Sequence, residues 1–222
     1  NALYLAILSA YKVDHLINET GIMNLQSLFP VTLSSHWRDA QGCFLPENLK
    51  SWLLDPNSLT ARLKSHCHQF RVELLGQKIE VCQESEAVGL IPAGDKILVR
   101  EVLLFCDEKP QVFARSLLPL SSLTGSEQTL ANLGTQSLGQ VLFNNPSLER
   151  QTIEVAEFKT TSAVGKFAKQ LQLSYQHLSS PENLWGRRSI FVLENKPLMV
   201  AEVFLPGAFA YQLTEDSGHK NA

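Results

Sequence analysis

The chain is short of most features by which common catalytic and binding classes declare themselves. It has four cysteines, Cys43, Cys67, Cys82 and Cys106, set far apart with no C-x-x-C pair. A chain of 222 residues does not need disulfide staples to hold a core, so free thiols in a reducing, cytoplasmic compartment are expected. His66-Cys67-His68 is the densest group of possible metal ligands. Alternate residues on a helix point apart and no second ligand cluster follows, so no metal site is expected. Charge is sparse as well: charged residues make up 18% and the formal net charge is −3. That leaves no basic footprint for nucleic acid or for an anionic membrane surface. The one strongly apolar stretch near a terminus, ALYLAILSAY at residues 2–11, is too short to span a bilayer and follows no basic segment, so stable membrane insertion is not expected. No G-x-G-x-x-G, P-loop, H-E-x-x-H or G-x-S-x-G sequence occurs; dinucleotide binding, phosphoryl transfer, zinc hydrolysis and serine-elbow hydrolysis lose their usual signatures.

Apolar residues are plentiful, at 44%, enough for a real core. Residues 3–29 read as mainly helical, and PENLKSWLLDPNSLTARLKSH as two helices joined tightly at Asp55-Pro56. From Phe70 the pattern alternates. FRVELLGQKIEVCQES reads as two strands about a turn at Gly76-Gln77, residues 97–118 as a hairpin, QTIEVAEF as a strand, and WGRRSIFVLENKPLMVAEVFLP as a last hairpin. This grouping predicts an α+β fold: a single antiparallel sheet of about six strands with helices packed on one side. The expected organisation is a helical N-terminal extension over residues 1–36, one domain over 37–211 and a polar tail over 212–222. Residues 159–183 are expected to be a surface elaboration.

What is unusual is charge inside strands. ILVREVLLFCDEKPQVFARSLLPL sets Arg100 and Arg115 amid leucine, valine and phenylalanine. Arginine does not deprotonate, so a half-buried sheet face must give each one a partner. With an even loop centred on Asp107-Glu108 the two lie opposite each other on one face; only an odd loop separates them. Glu202, flanked on its own face by Val200 and Phe204, also needs a partner, and either Arg187 or Arg188 can face it depending on the turn. Two accounts fit these residues: structural ion pairs, or a pocket for a small ligand bearing more than one carboxylate, which arginine reads bidentately.

Five segments in order, WLLDPNSLTARL, REVLLFCDEKPQVFARSLLPLSSL, LGTQSLGQVLF, LWGRRSIF and KPLMVAEVFLP, closely resemble chorismate lyases, over about Trp37 to Tyr211. The resemblance implies an enzyme that removes pyruvate from chorismate to give 4-hydroxybenzoate, the first step of ubiquinone biosynthesis, with the ligand in an internal cavity beneath helical flaps. It implies that Arg100 binds the ring carboxylate with help from the backbone of Leu59, where the family commonly has methionine. It further implies that the main chain of Leu138 and the carboxylate of Glu202 hold the hydroxyl end. Arg115 is expected to take the second carboxylate, on the enolpyruvyl arm, and to act with Glu202 in catalysis. Because aromatisation drives the reaction, no cofactor is expected, and the partners are substrate and product alone, on a monomer. Either hydrogen passes internally from C4 to the arm, or Glu202 acts as a general base. The alternative is a non-catalytic small-anion module of the same fold, a ligand-sensing domain or a carrier of 4-hydroxybenzoate. Residues 1–36 are short for a DNA-reading helix pair, which weighs against the sensor.

Overall fold

The computed structural model describes residues 24–175 and 181–212. Most of the expected N-terminal helix and nearly all of the polar tail lie outside these residues; of the former, a 3-10 turn at Leu25–Leu28 is described. Seven strands are present: β1 (Arg38–Asp39), β2 (Phe70–Val81), β3 (Lys96–Cys106), β4 (Lys109–Pro119), β5 (Glu149–Lys159), β6 (Asn183–Leu193) and β7 (Lys196–Phe204). They form one sheet in the order β1-β5-β6-β7-β4-β3-β2, with every neighbouring pair antiparallel. Among the described residues four α-helices accompany it: α1 (Glu47–Leu53), α2 (Leu59–Ser65), α3 (Leu138–Phe143) and α4 (Ala163–Ser174). Among the described residues no helix is long and apolar enough to cross a membrane.

Two hairpins close on two-residue loops whose residues all have positive φ: Asp107 and Glu108 at 46° and 60°, Glu194 and Asn195 at 49° and 62°. That is the left-handed pair which matches the twist of the flanking strands. The expected turn at Gly76-Gln77 is absent. β2 is one strand of 12 residues, and its register steps from Leu74↔Val102 to Gly76↔Glu101 through a bulge at Leu75. Gly76 serves a close approach instead: a Cβ there would lie 2.3 Å from the Phe29 ring. Glycine in a strand commonly marks such contacts.

The sheet is covered on both faces. α1, α2, α3 and the 3-10 helix Gly125–Asn132 lie on one, the helix face. The other is packed by the 25–33 segment and by α4. α4 comes from the 159–183 stretch expected at the surface, yet Val164, Phe167, Ala168 and Leu171 are all buried. Their i, i+3, i+4, i+7 spacing is the apolar stripe of a core-facing helix. The polar look of the segment came from the opposite side of the same helix, and the expectation of helices on one side only is corrected accordingly.

Arg115 belongs to this second face. The loop has the expected even length, with Cys106 opposite Lys109, but β4 bulges at Gln111, so the register shifts from Leu104↔Val112 to Phe105↔Pro110. Beyond the bulge Glu101 opposes Arg115 and Arg100 opposes Ser116. One extra residue turns every later side chain to the other face. The expectation that Arg100 and Arg115 share a face is therefore wrong. Arg115 is fully engaged where it lies: Nε and Nη2 donate to Glu86 at 2.7 and 2.9 Å, and Nη1 donates to Glu101 at 2.5 Å. Both Glu101 oxygens also accept from the Val31 N–H, at 3.0 and 2.8 Å. The cluster ties the 25–33 segment and the β2–β3 connection to the sheet.

Burial pushes the Glu101 carboxyl up to about 7, although the Val31 N–H and Arg115 pull the other way. The folded chain thus holds a proton that the unfolded chain, with a carboxyl near 4.5, has released. This group's contribution to stability is full below that lower value and is lost as pH rises through the upper one. Urea unfolding from about pH 4.5 to 7.5 is expected to show wild type losing about 2–3 kcal/mol relative to Glu101→Gln. Parallel stability curves for the two proteins would contradict it.

Candidate functional site

On the helix face the buried apolar residues fall into two groups rather than one. The first surrounds Trp52, Leu53, Leu63, Val102, Ala114 and Phe204. The second surrounds Leu98, Leu118, Leu138, Leu142, Phe191 and Val200. Polar residues stand between them. Along one line across the sheet Arg100 pairs with Ser116, Ser116 with Val200, and Val200 with Ser189. Along the next line Val102 pairs with Ala114, Ala114 with Glu202, and Glu202 with Arg187. Alanine and serine at the centre give the sheet a low floor, with long charged side chains rising at its two sides.

Arg100 is 2% exposed. Nη2 donates to the carbonyls of Gly134 and Gln136, at 2.8 and 3.1 Å, while Nε and Nη1 have no partner. Burial lowers the pKa of the guanidinium, and no carboxylate acts on it in the opposite sense. A buried cation with two free donors and no counter-charge is costly, and this cost falls when a carboxylate accepts both donors. Among the described residues the buried side-chain nitrogens and oxygens without a partner are Arg100 Nε and Nη1, Arg150 Nε and Ser189 Oγ. Register puts all three residues on the helix face.

The carbonyls that hold Arg100 precede α3, and the starts of α2 and α3 meet. Ser58 and Ser137 cap these helices, accepting from the N–H groups of Ala61 and Gln140. Thr60 Oγ1 lies 2.7 Å from Ser137 Oγ. Gly139 allows the approach, since a Cβ on it would come 3.3 Å from Thr60 Oγ1. Leu59 and Leu138 are the first residues of α2 and α3, where backbone N–H groups have no intrahelical acceptor.

At the far side Glu202 Oε2 accepts from Arg187 Nε at 2.7 Å. The 193–196 hairpin contains no bulge, so its two-residue loop faces Arg187, not Arg188, toward Glu202. Arg187 Nη1 also donates to the carbonyls of Trp52, Leu53 and Asp55 at 3.2, 3.5 and 2.8 Å, which fixes the C-terminal end of α1 above Glu202. Arg188 faces the other way, onto Glu154.

Of the residues singled out in the sequence, Arg100, Leu59, Leu138 and Glu202 therefore gather on the helix face. Arg115 does not; the sheet lies between it and them, and its donors already have acceptors. Sequence reasoning missed Arg150 and Ser189. Arg150 opposes Phe191 because β5 bulges at Gln151; simple alternation from Ile153 and Val155 would have put Gln151 on this face.

The arrangement defines a class: an α+β domain in which Arg100, Arg187 and the partly buried Glu202 form a polar strip on one face of an antiparallel sheet, between two apolar clusters and beneath the helices. A family model described as "Chorismate lyase" matches residues 32–213, and the chain belongs to that family. It is 42% identical over 187 residues to a protein of Psychromonas ingrahamii named "Probable chorismate pyruvate-lyase", covering 83% of this chain and 97% of that one. A protein of the same name from Pseudoalteromonas translucida is also 42% identical, over 82% of this chain and 98% of its own. Among solved structures, PhnF from Mycobacterium smegmatis shares the fold at a TM-score of 0.50 and 13% identity, over 68% of this chain and 65% of that one.

The two sides of this polar strip are expected to respond differently to mutation. Arg187→Met strands the Glu202 carboxylate and three carbonyls, at a cost of about 3–5 kcal/mol. Arg100→Met removes an uncompensated charge as well as two hydrogen bonds, and these offset each other to within about 1 kcal/mol. Urea denaturation of both variants checks the contrast; equal losses would show that Arg100 is a structural residue like Arg187.

Proposed function

We propose that this protein is the enzyme that eliminates pyruvate from chorismate to give 4-hydroxybenzoate, opening the route to ubiquinone. The observation that supports it most directly is Arg100, buried on the helix face with two unused donor nitrogens. In this reading Arg100 and the Leu59 N–H take the ring carboxylate, while the main chain of Leu138 and the Glu202 carboxylate hold the hydroxyl end. The fork geometry of arginine suits the first task; Glu202, held by Arg187, suits the second as an acceptor for the 4-hydroxyl.

The chemistry asks for placement more than for reagents. The C3–O bond breaks and its electrons become the carbonyl of pyruvate. Hydrogen leaves C4 for the methylene carbon of the arm, and the C4–H electrons complete the aromatic ring. A site that folds the arm over the ring brings hydrogen and methylene together, and a recess closed to water favours that conformer. The reaction is set in the cytoplasm and on a monomer; the four free cysteines support a reducing compartment.

Purified protein mixed with chorismate is expected to release pyruvate and 4-hydroxybenzoate in equal amounts, and absence of both products would end the proposal. Arg100→Ala is expected to lower kcat/KM by an amount equivalent to about 2–5 kcal/mol; a change under about threefold would remove it from the site. Deuterium at C4 is expected in the methyl group of the pyruvate. Complete washout to solvent would move the hydrogen to Glu202 acting as a base.

A further inference from the structure

Three guanidinium groups stand on the helix face of the sheet, on Arg100, Arg150 and Arg187, and among the described residues Glu202 is the carboxylate that neighbours Arg150 and Arg187 there. Asp55 does not alter this balance, because Arg62 binds it at 2.9 Å. Arg187 has Glu202 and a set of carbonyls, and Arg100 waits for the ring carboxylate. Arg150 remains to be explained.

Its surroundings are built rather than incidental. The bulge at Gln151 turns Arg150 onto the helix face. The guanidinium carbon lies 4.9 Å from the centre of the Phe191 ring and 5.4 Å from that of Phe143. Nη1 donates to the Asp55 carbonyl at 3.0 Å, the same oxygen that Arg187 uses. Nε is buried and has no partner. Burial lowers its pKa to about 10, with Arg187 adding to the effect, while Glu202 and Asp55 draw the other way. Arg150 therefore belongs to the Glu202 end of the polar strip. Arg100, on β3, lies four strand spacings from β5, about 19 Å between backbones.

We infer that Arg150 binds the second carboxylate of the substrate, the one on the enolpyruvyl arm. The inference rests on the function proposed above and gives it the part that Arg115 cannot play. The arm leaves the ring at C3, next to the C4 hydroxyl that Glu202 holds, so its carboxylate falls at the Arg150 end. The free Nε–H points to an acceptor that the chain itself does not supply. Three cations sharing one carboxylate leave two positive charges, and chorismate brings two negative ones. 4-Hydroxybenzoate brings one. Arg150 thereby separates substrate from product, which Arg100 does not.

Calorimetry with two ligands tests this: 4-hydroxybenzoate, and 3-(carboxymethoxy)-4-hydroxybenzoate, which keeps both carboxylates on a stable ring. Arg150→Met is expected to weaken the two-carboxylate ligand by about thirtyfold and the one-carboxylate ligand by less than about threefold, with Arg150→Lys recovering part of the loss. Equal weakening of both ligands, or no weakening of the first, overturns the inference. If the Met variant does not fold, wild type still decides. The free acid should bind at least about tenfold more tightly than the methyl ester of its arm, and equal affinities overturn the inference. Since these are binding measurements, they stand apart from turnover. A wild type inert toward chorismate would remove the proposed function, whatever Arg150 binds.

Discussion

A guanidinium kept dry without a counter-charge is the constraint around which the helix face is arranged. Arg100 cannot shed its proton, so the fold must hold it in place against the pull of water. Two carbonyls just before α3 do part of this. The paired starts of α2 and α3 adjoin those carbonyls, and Ser116 and Ala114 separate Arg100 from Glu202 across the sheet. This polar strip parts the apolar core of that face into two clusters. The opposite face has one continuous cluster, and its buried arginines, Arg115 and Arg188, are both paired with carboxylates.

The comparison between Arg100 and Arg115 shows what burial of charge means in each case. Both are at most 2% exposed, and each lies six residues along its strand from the shared hairpin turn, Arg100 from Cys106 and Arg115 from Lys109. Arg115 has Glu86 and Glu101 and joins a segment and a loop to the sheet. Arg100 has carbonyls and unused donors. The first is a fastening; the second is the group to which the proposed reading assigns an anion. Number and burial are alike, and the list of acceptors separates the roles.

Much of this was legible in the sequence. Alternating apolar residues, turn dipeptides and helix caps defined the antiparallel α+β fold, and the family resemblance pointed to Arg100, Leu59, Leu138 and Glu202. What misled was parity. Bulges at Leu75, Gln111 and Gln151 each insert a residue that alternation does not foresee. The first merged two expected strands into one, the second sent Arg115 to the far face, and the third brought Arg150 onto the near one. A bulge is stabilised by tertiary contacts: the Gln111 carbonyl accepts from the Leu205 N–H and its side chain from the Phe209 N–H. Nothing local to residues 109–113 announces those partners. α4 was misjudged for a related reason, since its buried stripe is short and its polar residues outnumber it.

The distribution of cations across the helix face also bears on how rate could arise. Contacts that are the same in substrate, transition state and product lower KM without speeding the chemical step. In the proposed reading the ring carboxylate bound by Arg100 does not change during the reaction, so that contact supplies mainly position. In the same reading charge develops at the ether oxygen as the C3–O bond breaks, on the arm and on the side of Glu202 and Arg187. Fixed dipoles and cations already aimed at that oxygen need no reorganisation when the bond opens. The α1 carbonyls and Glu202 hold Arg187 rigidly, and two aromatic rings flank Arg150. Rigidity at that end, more than affinity at the Arg100 end, is what an orientation-driven elimination requires of this fold.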